Sequence, residues 1–221
     1  MPLLTIFFLF LIIFMAPYLI LPLFLFIGLL LLLIPFKFTL DSIFNLITVP
    51  VQLYHIATNP VLRKNHGLEH ATVNVLEREF GYKNLAGYAE NSGFYIIGAD
   101  NVHLVEEAAR RGLRLMRSGY SDLAIHRRCG TSLTVANFVS AVIFLLLLFY
   151  TGYFSLFYII MAIIIANIVA KPLGMFVQQY FTTTSDVGDI QIVRAEYVNM
   201  DNFWNQPVKI FVHTRQIPYI N

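Results

Sequence analysis

Two long stretches of this chain contain no charged side chain, and they constrain its fold more than any other feature. The first runs from Met1 to Phe36 and the second from Leu133 to Ala170. One helix needs about 20 apolar residues to cross the hydrocarbon core of a bilayer. Hydrophobic residues make up 57% of the chain and charged residues 13%, against roughly half and a quarter in globular proteins. The chain is therefore predicted to be a membrane protein, mostly α-helical.

The N-terminal stretch, residues 1–36, predicts a transmembrane segment of one or two spans. Its length suits either one long tilted helix or a tight pair broken near Pro17 and Pro22, and we favour the pair. Residues 37–58 remain apolar but are interrupted by polar side chains such as Asp41. This mixture favours a segment that lies along the membrane interface or packs on the helix bundle.

A charged region lies between the apolar stretches, with ten Lys or Arg and eight Asp or Glu from Arg63 to Arg128. Asn59-Pro60 predicts the start of a helix that Gly81 ends. A β-hairpin around Asn91-Ser92-Gly93 and an amphipathic helix are predicted to follow. Residues 59–130 therefore form a predicted small α+β domain, inserted before the second apolar stretch.

The second apolar stretch predicts a C-terminal transmembrane hairpin over residues 131–172, because a turn sequence at 151–153 divides it into two blocks. Cations flank both ends of this hairpin, and its turn has none. By the positive-inside rule, the α+β domain and the C-terminal segment, residues 173–221, are expected in the cytoplasm. Two stretches of that segment, "DIQIVRAEYV" and "PVKIFVHTRQI", suit β-strands. We expect an integral protein of the cell membrane whose soluble domain faces the cytoplasm.

The segment "HGLEH" carries the first candidate site. Residues four apart on a helix are neighbours, with Cβ atoms about 6 Å apart, so His66 and His70 can hold one ion. Glu69 lies on the same side of the helix and can ligate that ion or act on its water. The pattern His-x-x-Glu-His is the reversed zincin motif, in which the histidines bind Zn²⁺ and the glutamate is the general base.

The segment "HRRCGTS" carries a second candidate site, with two residues between His126 and Cys129, a spacing common among metal ligands. Thr131 or Ser132 is available there as the N-cap of the following membrane helix. A helix N-terminus lowers the pKa of a thiol and favours the thiolate that metals bind. Both motifs adjoin membrane segments, so we expect them to meet at the cytoplasmic surface. Imidazole and thiolate ligands favour Zn²⁺ among the divalent transition metals.

The two motifs together resemble the YqhQ-like family of uncharacterised membrane proteins, which are described as predicted metal-dependent enzymes. The resemblance covers about Leu62 to Tyr197 and rests on "HGLEHATVNVLE", on "HRRCGTS" and on "FTTTSDVGD" beyond the hairpin. Arg127 stands where the family commonly has proline. The resemblance implies metal dependence without supplying a substrate, and it points to the residues His66, Glu69, His70, His126 and Cys129.

Two hypotheses about the metal site differ in the number of protein ligands. In the enzyme hypothesis, which we favour, His66, His70 and Cys129 hold Zn²⁺, and the fourth position stays open for water. Glu69 is then the general base of a hydrolase at the cytoplasmic membrane surface. In the structural hypothesis, His126 closes a four-ligand site, and the protein serves as a scaffold or regulator.

Other expectations concern partners and supporting residues. Besides the lipid bilayer, we expect a peptide, lipid or small-molecule substrate. Nucleic acid is not expected, because the net charge is only +2 and the basic residues are interleaved with acids. A metal-free scaffold whose α+β domain binds another protein is a third hypothesis. Asp186 is a further candidate, as a residue that hydrogen-bonds to the metal ligands without binding the metal itself.

Overall fold

The computed structural model describes residues 2–153, 155–198 and 207–217. Within these ranges the protein is mostly helical and has one small antiparallel sheet. The helices are α1 (Pro2–Ala57), α2 (Pro60–Glu79), α3 (Val102–Arg117), α4 (Gly130–Thr151) and α5 (Leu156–Val177). The strands are β1 (Ala86–Glu90), β2 (Gly93–Ile97), β3 (Ile190–Tyr197) and β4 (Lys209–Gln216).

Helix α1 runs without a break from Pro2 to Ala57. The structure thus differs from the favoured pair of spans, and residues 37–57 continue the helix instead of forming a separate segment. Proline removes one helical hydrogen bond and can bend a helix, but a helix can continue past it. The C-terminal half of α1 packs on α4, where the rings of Phe38 and Phe144 meet edge-on with centroids 4.9 Å apart.

Among the residues that the structure describes, three helical segments are long and apolar enough to cross a membrane: Ile20–Ala57, Gly130–Thr151 and Leu156–Thr182. The second and third are antiparallel neighbours that correspond to the predicted hairpin, and Gly152 turns the chain after α4 with a φ of +71°. Large apolar side chains on these segments are exposed, including Phe149 at 82%. Length, composition and exposure all agree with the predicted membrane protein class.

The predicted hairpin and amphipathic helix are both confirmed, as β1 and β2 and as α3. The sheet has the order β1-β2-β4-β3, and all neighbouring strands are antiparallel. Strands β3 and β4 confirm the two stretches predicted in the C-terminal segment. That segment is not a separate unit, because β4 pairs with β2 and places Phe94 opposite Val212. The α+β domain is therefore built from the parts of the chain that precede and follow the apolar helical hairpin.

Helix α2 is the central element of this domain. Asn59 caps it as predicted, since its Oδ1 accepts a hydrogen bond of 3.1 Å from the backbone N–H of Leu62. Gly81 follows the C-terminal end with a φ of +73°, as expected of a helix-stopping glycine. Nearly every residue from Asn65 to Leu76 is buried. An α2 enclosed in this way holds its polar side chains in an apolar surrounding.

Candidate metal centre

Helix α2 carries three polar side chains of the candidate site on its buried middle turns. The rings of His66 and His70 lie one helical turn apart, with centroids separated by 4.5 Å. Glu69 Oε2 is 3.4 Å from His70 Nε2 and 3.9 Å from His66 Nε2. The helical spacing predicted from the sequence therefore places both imidazoles and the carboxylate around one point.

Backbone carbonyls fix the tautomers of both histidines. His66 Nδ1 lies 3.0 Å from the carbonyl oxygen of Thr182, and His70 Nδ1 lies 2.8 Å from that of Ala124. A carbonyl only accepts, so each Nδ1 is the donor and each Nε2 keeps its lone pair. Such bonds behind metal-binding histidines orient the rings and select the nitrogen that binds.

Cys129 brings a sulfur to the same point from the start of α4. Its Sγ is 3.4 Å from His66 Nε2 and accepts a hydrogen bond of 3.3 Å from the backbone N–H of Thr131. Cys129 is thus itself the N-cap of α4, not Thr131 or Ser132 as expected. The sequence did not identify the cap because a thiol is a weak acceptor that seldom serves this purpose.

The ligand atoms of His66, His70 and Cys129 all lie within 4.8 Å of one another. In a tetrahedral zinc site, Zn–N bonds of about 2.0–2.1 Å and a Zn–S bond of about 2.3 Å put neighbouring ligand atoms roughly 3.3–3.6 Å apart. The Sγ to Nε2 distance already falls in that range. His70 Nε2 is buried and has no hydrogen-bond partner among the described residues. The three residues therefore fit a metal ion of this size and donor preference.

Burial controls the ionisation of the site. It lowers the pKa of His66, and it lowers that of His70 well below the usual value, so both imidazoles are neutral and able to bind a metal. It raises the pKa of Glu69 to about 8. The pKa of Cys129 rises to about 11, because burial outweighs the hydrogen bond from Thr131. The helix N-terminus therefore does not produce the thiolate by itself.

His126 does not join the three ligands. Its ring centroid is 6.1 Å from that of His70, and its Nε2 lies 3.3 Å from Glu77 Oε2. Arg128 Nη2 holds the other oxygen of Glu77 at 2.8 Å. The fourth ligand of the structural hypothesis is therefore directed to a carboxylate outside the group. Glu77 is the residue that holds His126 there.

The threonine-rich segment after α5 reaches the site differently from the prediction. Asp186 is exposed, and its side chain makes no hydrogen bond or ion pair with the described part of the chain. The contact comes instead from the backbone carbonyl of Thr182, at the end of a π-helical turn, Gln178–Thr182. Sequence reasoning missed Thr182 and Ala124, because any residue type can supply a carbonyl.

Gly87 is another residue near the site that the sequence reasoning missed. It lies in β1, and a Cβ atom added to it would collide with Glu69 Oε1 and lie 2.6 Å from the carbonyl oxygen of Tyr95. The backbone of β1 therefore passes directly against the carboxylate. A glycine inside a strand pattern often marks such an approach, so the signal was present in the sequence.

A cavity of about 230 Å³ opens onto this group. His66 and Cys129 contribute to its lining, together with Gly87 of β1 and the apolar side chains of Leu53 and Ile56 near the end of α1. The cavity therefore joins the candidate ligands to a surface where the α+β domain meets the long apolar helices. A substrate can approach the site from this side.

Comparisons with known proteins place the chain in a family without giving it an activity. It matches the family described as a domain of unknown function, DUF6391, over residues 61–195, which include both motifs. It is 40% identical over 90 residues to an uncharacterized protein of Picosynechococcus sp., a match that covers 36% of this chain and 43% of that relative. The match thus spans less than half of the relative's length. No solved structure matches the chain significantly. The chain belongs to the DUF6391 family.

Proposed function

We propose that the protein is a metal-dependent hydrolase of the membrane, with Glu69 as general base at the cytoplasmic surface. The observation that carries this proposal is the grouping of two histidine nitrogens and one sulfur beside a buried carboxylate. His66, His70 and Cys129 would hold the metal with three ligand atoms, and a site of this composition would leave room for water, as catalytic zinc sites do. The resemblance of both motifs to the YqhQ-like family agrees with a metal-dependent enzyme.

The position of His126 supports an open site over a closed structural one. Its ring nitrogen pairs with Glu77, which Arg128 holds in turn. Recruiting His126 as a fourth ligand would leave the carboxylate of Glu77 without one of its two partners. The scaffold hypothesis requires the closed site, and closing it would break the contact between His126 and Glu77. We therefore favour the open site.

A bound divalent metal such as Zn²⁺ supplies a Lewis acid that polarises a carbonyl and makes water more acidic. The other steps belong to the chain. Ionised Glu69 takes a proton from a water molecule while the water oxygen bonds to the carbonyl carbon of the substrate. Glu69 then returns the proton to the leaving nitrogen or oxygen as its bond to carbon breaks. One water molecule is consumed, and the carboxylate is regenerated.

The raised pKa of Glu69 suits this task. Burial alone raises it to about 8, and a neighbouring cation lowers the pKa of a carboxyl group. The two effects together bring the pKa towards neutrality, where a general base is most effective. A carboxyl group with an ordinary pKa would be a weaker base.

The proposed location follows from the long apolar helices and the charges beside them. Arg127 and Arg128 precede α4, Lys171 lies near the end of α5, and the turn at 151–153 carries no charge. The positive-inside rule assigns the cationic end to the cytoplasm. The candidate site is at that end, since Cys129 is the N-cap of α4. The lipid bilayer is then the permanent partner of the protein.

Substitution of Glu69 separates catalysis from metal binding. Glu69→Gln should retain the metal and lower turnover about 10²–10⁴-fold, the usual contribution of a general base. His66→Ala should lose both metal and turnover. Turnover is measured on a panel of chromogenic esters and anilides with the purified full-length protein. Glu79→Gln, the same change on an exposed end of the same helix, is the matched control.

The catalytic proposal fails if Glu69→Gln turns over the panel as fast as the unsubstituted protein. If His66→Ala and Cys129→Ala also lower the unfolding temperature in that case, the metal has a structural purpose.

A further inference from the structure

Strand β1 is an edge strand of the sheet. It pairs with β2 on one side, and no described strand lies on the other. A two-residue turn, Asn91-Ser92, joins β1 to β2, and Glu90 pairs with Gly93 on either side of it. In such a turn the carbonyl oxygen of the first residue, Glu90, accepts a hydrogen bond from the backbone N–H of the last, Gly93. Hydrogen-bonded and non-hydrogen-bonded pairs alternate along an antiparallel ladder. By this alternation, Gly87 and Ala89 direct their backbone N–H and C=O groups to the outer edge.

These outward groups have no hydrogen-bond partner in the described part of the chain. An open row of donors and acceptors on an edge strand is a template for another extended chain. The edge is short and lies beside the cavity, whose lining includes Gly87, Tyr88 and Ala89. The template is therefore limited to a few residues next to the candidate ligands.

The cavity connects this edge to the candidate metal centre. His66 and Cys129 line it together with the edge residues. Neighbouring strands lie about 4.8 Å apart, so a strand added outside Gly87 would enter the cavity. A Cβ atom added to Gly87 would point towards the carboxylate of Glu69. The edge and the proposed general base are thus adjacent.

We propose that the site acts on an extended polypeptide, which binds by adding a strand to the outer edge of β1; this inference rests on the proposed hydrolase function. Main-chain hydrogen bonds to Gly87 and Ala89 hold such a ligand, and the apolar cavity wall accepts its side chains. A lipid has no regular alternation of donors and acceptors to match this edge. In the reaction, water adds to a peptide carbonyl carbon, the C–N bond breaks, and the leaving amine receives the proton from Glu69.

The test measures binding without cleavage. Full-length Glu69→Gln protein in detergent is incubated with a randomised pool of ten-residue peptides, and retained peptides are identified by mass spectrometry. Ala89→Pro in this background removes one outward N–H, and proline is tolerated on edge strands. Ala89→Ser keeps the N–H and is the matched control. The serine variant should retain the same peptides, and the proline variant about tenfold less.

Two further measurements distinguish a lost hydrogen bond from misfolding of the Ala89→Pro protein. The Ala89→Pro protein should contain as much metal as its parent. A retained peptide that is resynthesised with methyl groups on alternate backbone nitrogens should bind the parent about tenfold more weakly. Equal binding of the methylated peptide would overturn the inference. So would undiminished retention by Ala89→Pro, or retention of phospholipid with no peptide.

Failure of the hydrolase proposal gives a different result. Peptides that bind through the edge but stay intact with the unsubstituted protein would refute hydrolysis of polypeptides and leave strand addition standing. Cleavage of the chromogenic panel with no retained peptide would refute strand addition and leave the hydrolase proposal standing.

Discussion

Glu69 and Cys129 are buried groups that prefer to keep their protons when no cation is near. The pKa of the carboxyl group is raised to about 8 and that of the thiol to about 11 by burial. A bound metal ion would reverse this preference, because coordination deprotonates a thiol and favours nearby carboxylates. Under the proposed function, protein and metal would therefore determine each other's protonation and binding state at this site.

The metal-free protein should lose stability as the pH rises from 6.5 to 8. The pKa of Glu69 is about 8 in the folded protein and 4.5 without burial. A raised folded pKa contributes stability that is complete below the unfolded pKa and is lost as the pH rises through the folded one. The lowered pKa values of His66 and His70 act in the opposite sense, but only below 6.5, and Cys129 acts only above 9. The change in stability between pH 6.5 and pH 8 therefore comes from Glu69.

Denaturant unfolding of the metal-free protein at both pH values checks this prediction. The free energy of unfolding should fall by about 1–2 kcal/mol, and Glu69→Gln should remove most of the change. An unfolding free energy of the unsubstituted protein that stays equal at both pH values would show that the carboxyl group is not protonated in the folded state.

The sequence predicted the site at the level of side chains with metal-binding chemistry. Helical spacing was enough for His66 and His70, and the local pattern was enough for Cys129. His126 was predicted as a supporting residue in the enzyme hypothesis and as a fourth ligand in the structural one, and its ring lies outside the group of three. The sequence could not decide this, because two residues between ligands say nothing about where a ring points. Its direction depends on Glu77, which comes from another element. The contact between the backbone carbonyl of Thr182 and His66 could not be predicted from the sequence, because any residue type can supply a carbonyl.

At the scale of elements, α2 depends on a close approach by the chain that follows α5. A Cβ atom at Gly67 would collide with the carbonyl oxygen of Thr184. This explains a glycine inside a helix, where it costs about 1 kcal/mol relative to alanine. The approach also brings the carbonyl of Thr182 to His66. Packing of α2 and orientation of a ligand thus have the same cause.

Gly67→Ala should therefore destabilise the protein, although alanine is the better helix former. We expect a loss of about 1–3 kcal/mol, the usual cost of overpacking. Gly28→Ala is the matched control, because Gly28 is also helical and no heavy atom lies within 4 Å of the added Cβ. That substitution should be neutral or stabilising. Thermal unfolding in detergent compares the two, and equal effects would contradict the close approach.

Local patterns predicted most elements, because caps, turns and periodicity are local. The cap at Asn59, the β-hairpin and the apolar helical hairpin all formed where the sequence indicated. The joining of β4 to β2 was not predicted, since the whole apolar helical hairpin separates the two strands in the sequence. The sequence left the course of α1 past its prolines open between one long helix and a pair, because a proline permits a bend as readily as a break.

At the scale of the whole molecule, polar contacts join the α+β domain to the end of the apolar hairpin. Arg63 donates to the carbonyl oxygens of Tyr180 and Thr183. Gln178 is fully buried, accepts from the backbone N–H of His126 and donates to Ser132. These bonds fix the domain against α4 and α5, so the candidate centre lies at the end of the apolar hairpin that carries Cys129.

Thiol labelling tests which face this is. Cys129 is the only cysteine, so Cys129→Ser gives a background without thiols. In that background, Tyr153→Cys places a thiol in the exposed turn after α4, and Ser118→Cys places one at the exposed end of α3. A membrane-impermeant maleimide should label the first in intact cells and the second only after permeabilisation. The reverse pattern would contradict the proposed orientation.

The metal content of the purified full-length protein shows whether the candidate centre binds an ion. Elemental analysis should find about one divalent metal ion per chain. His126→Ala should keep that ion and Cys129→Ala should lose it, because only the second residue belongs to the group of three. A protein with no stoichiometric metal would contradict the account, and equal loss from both variants would contradict the open, three-ligand site.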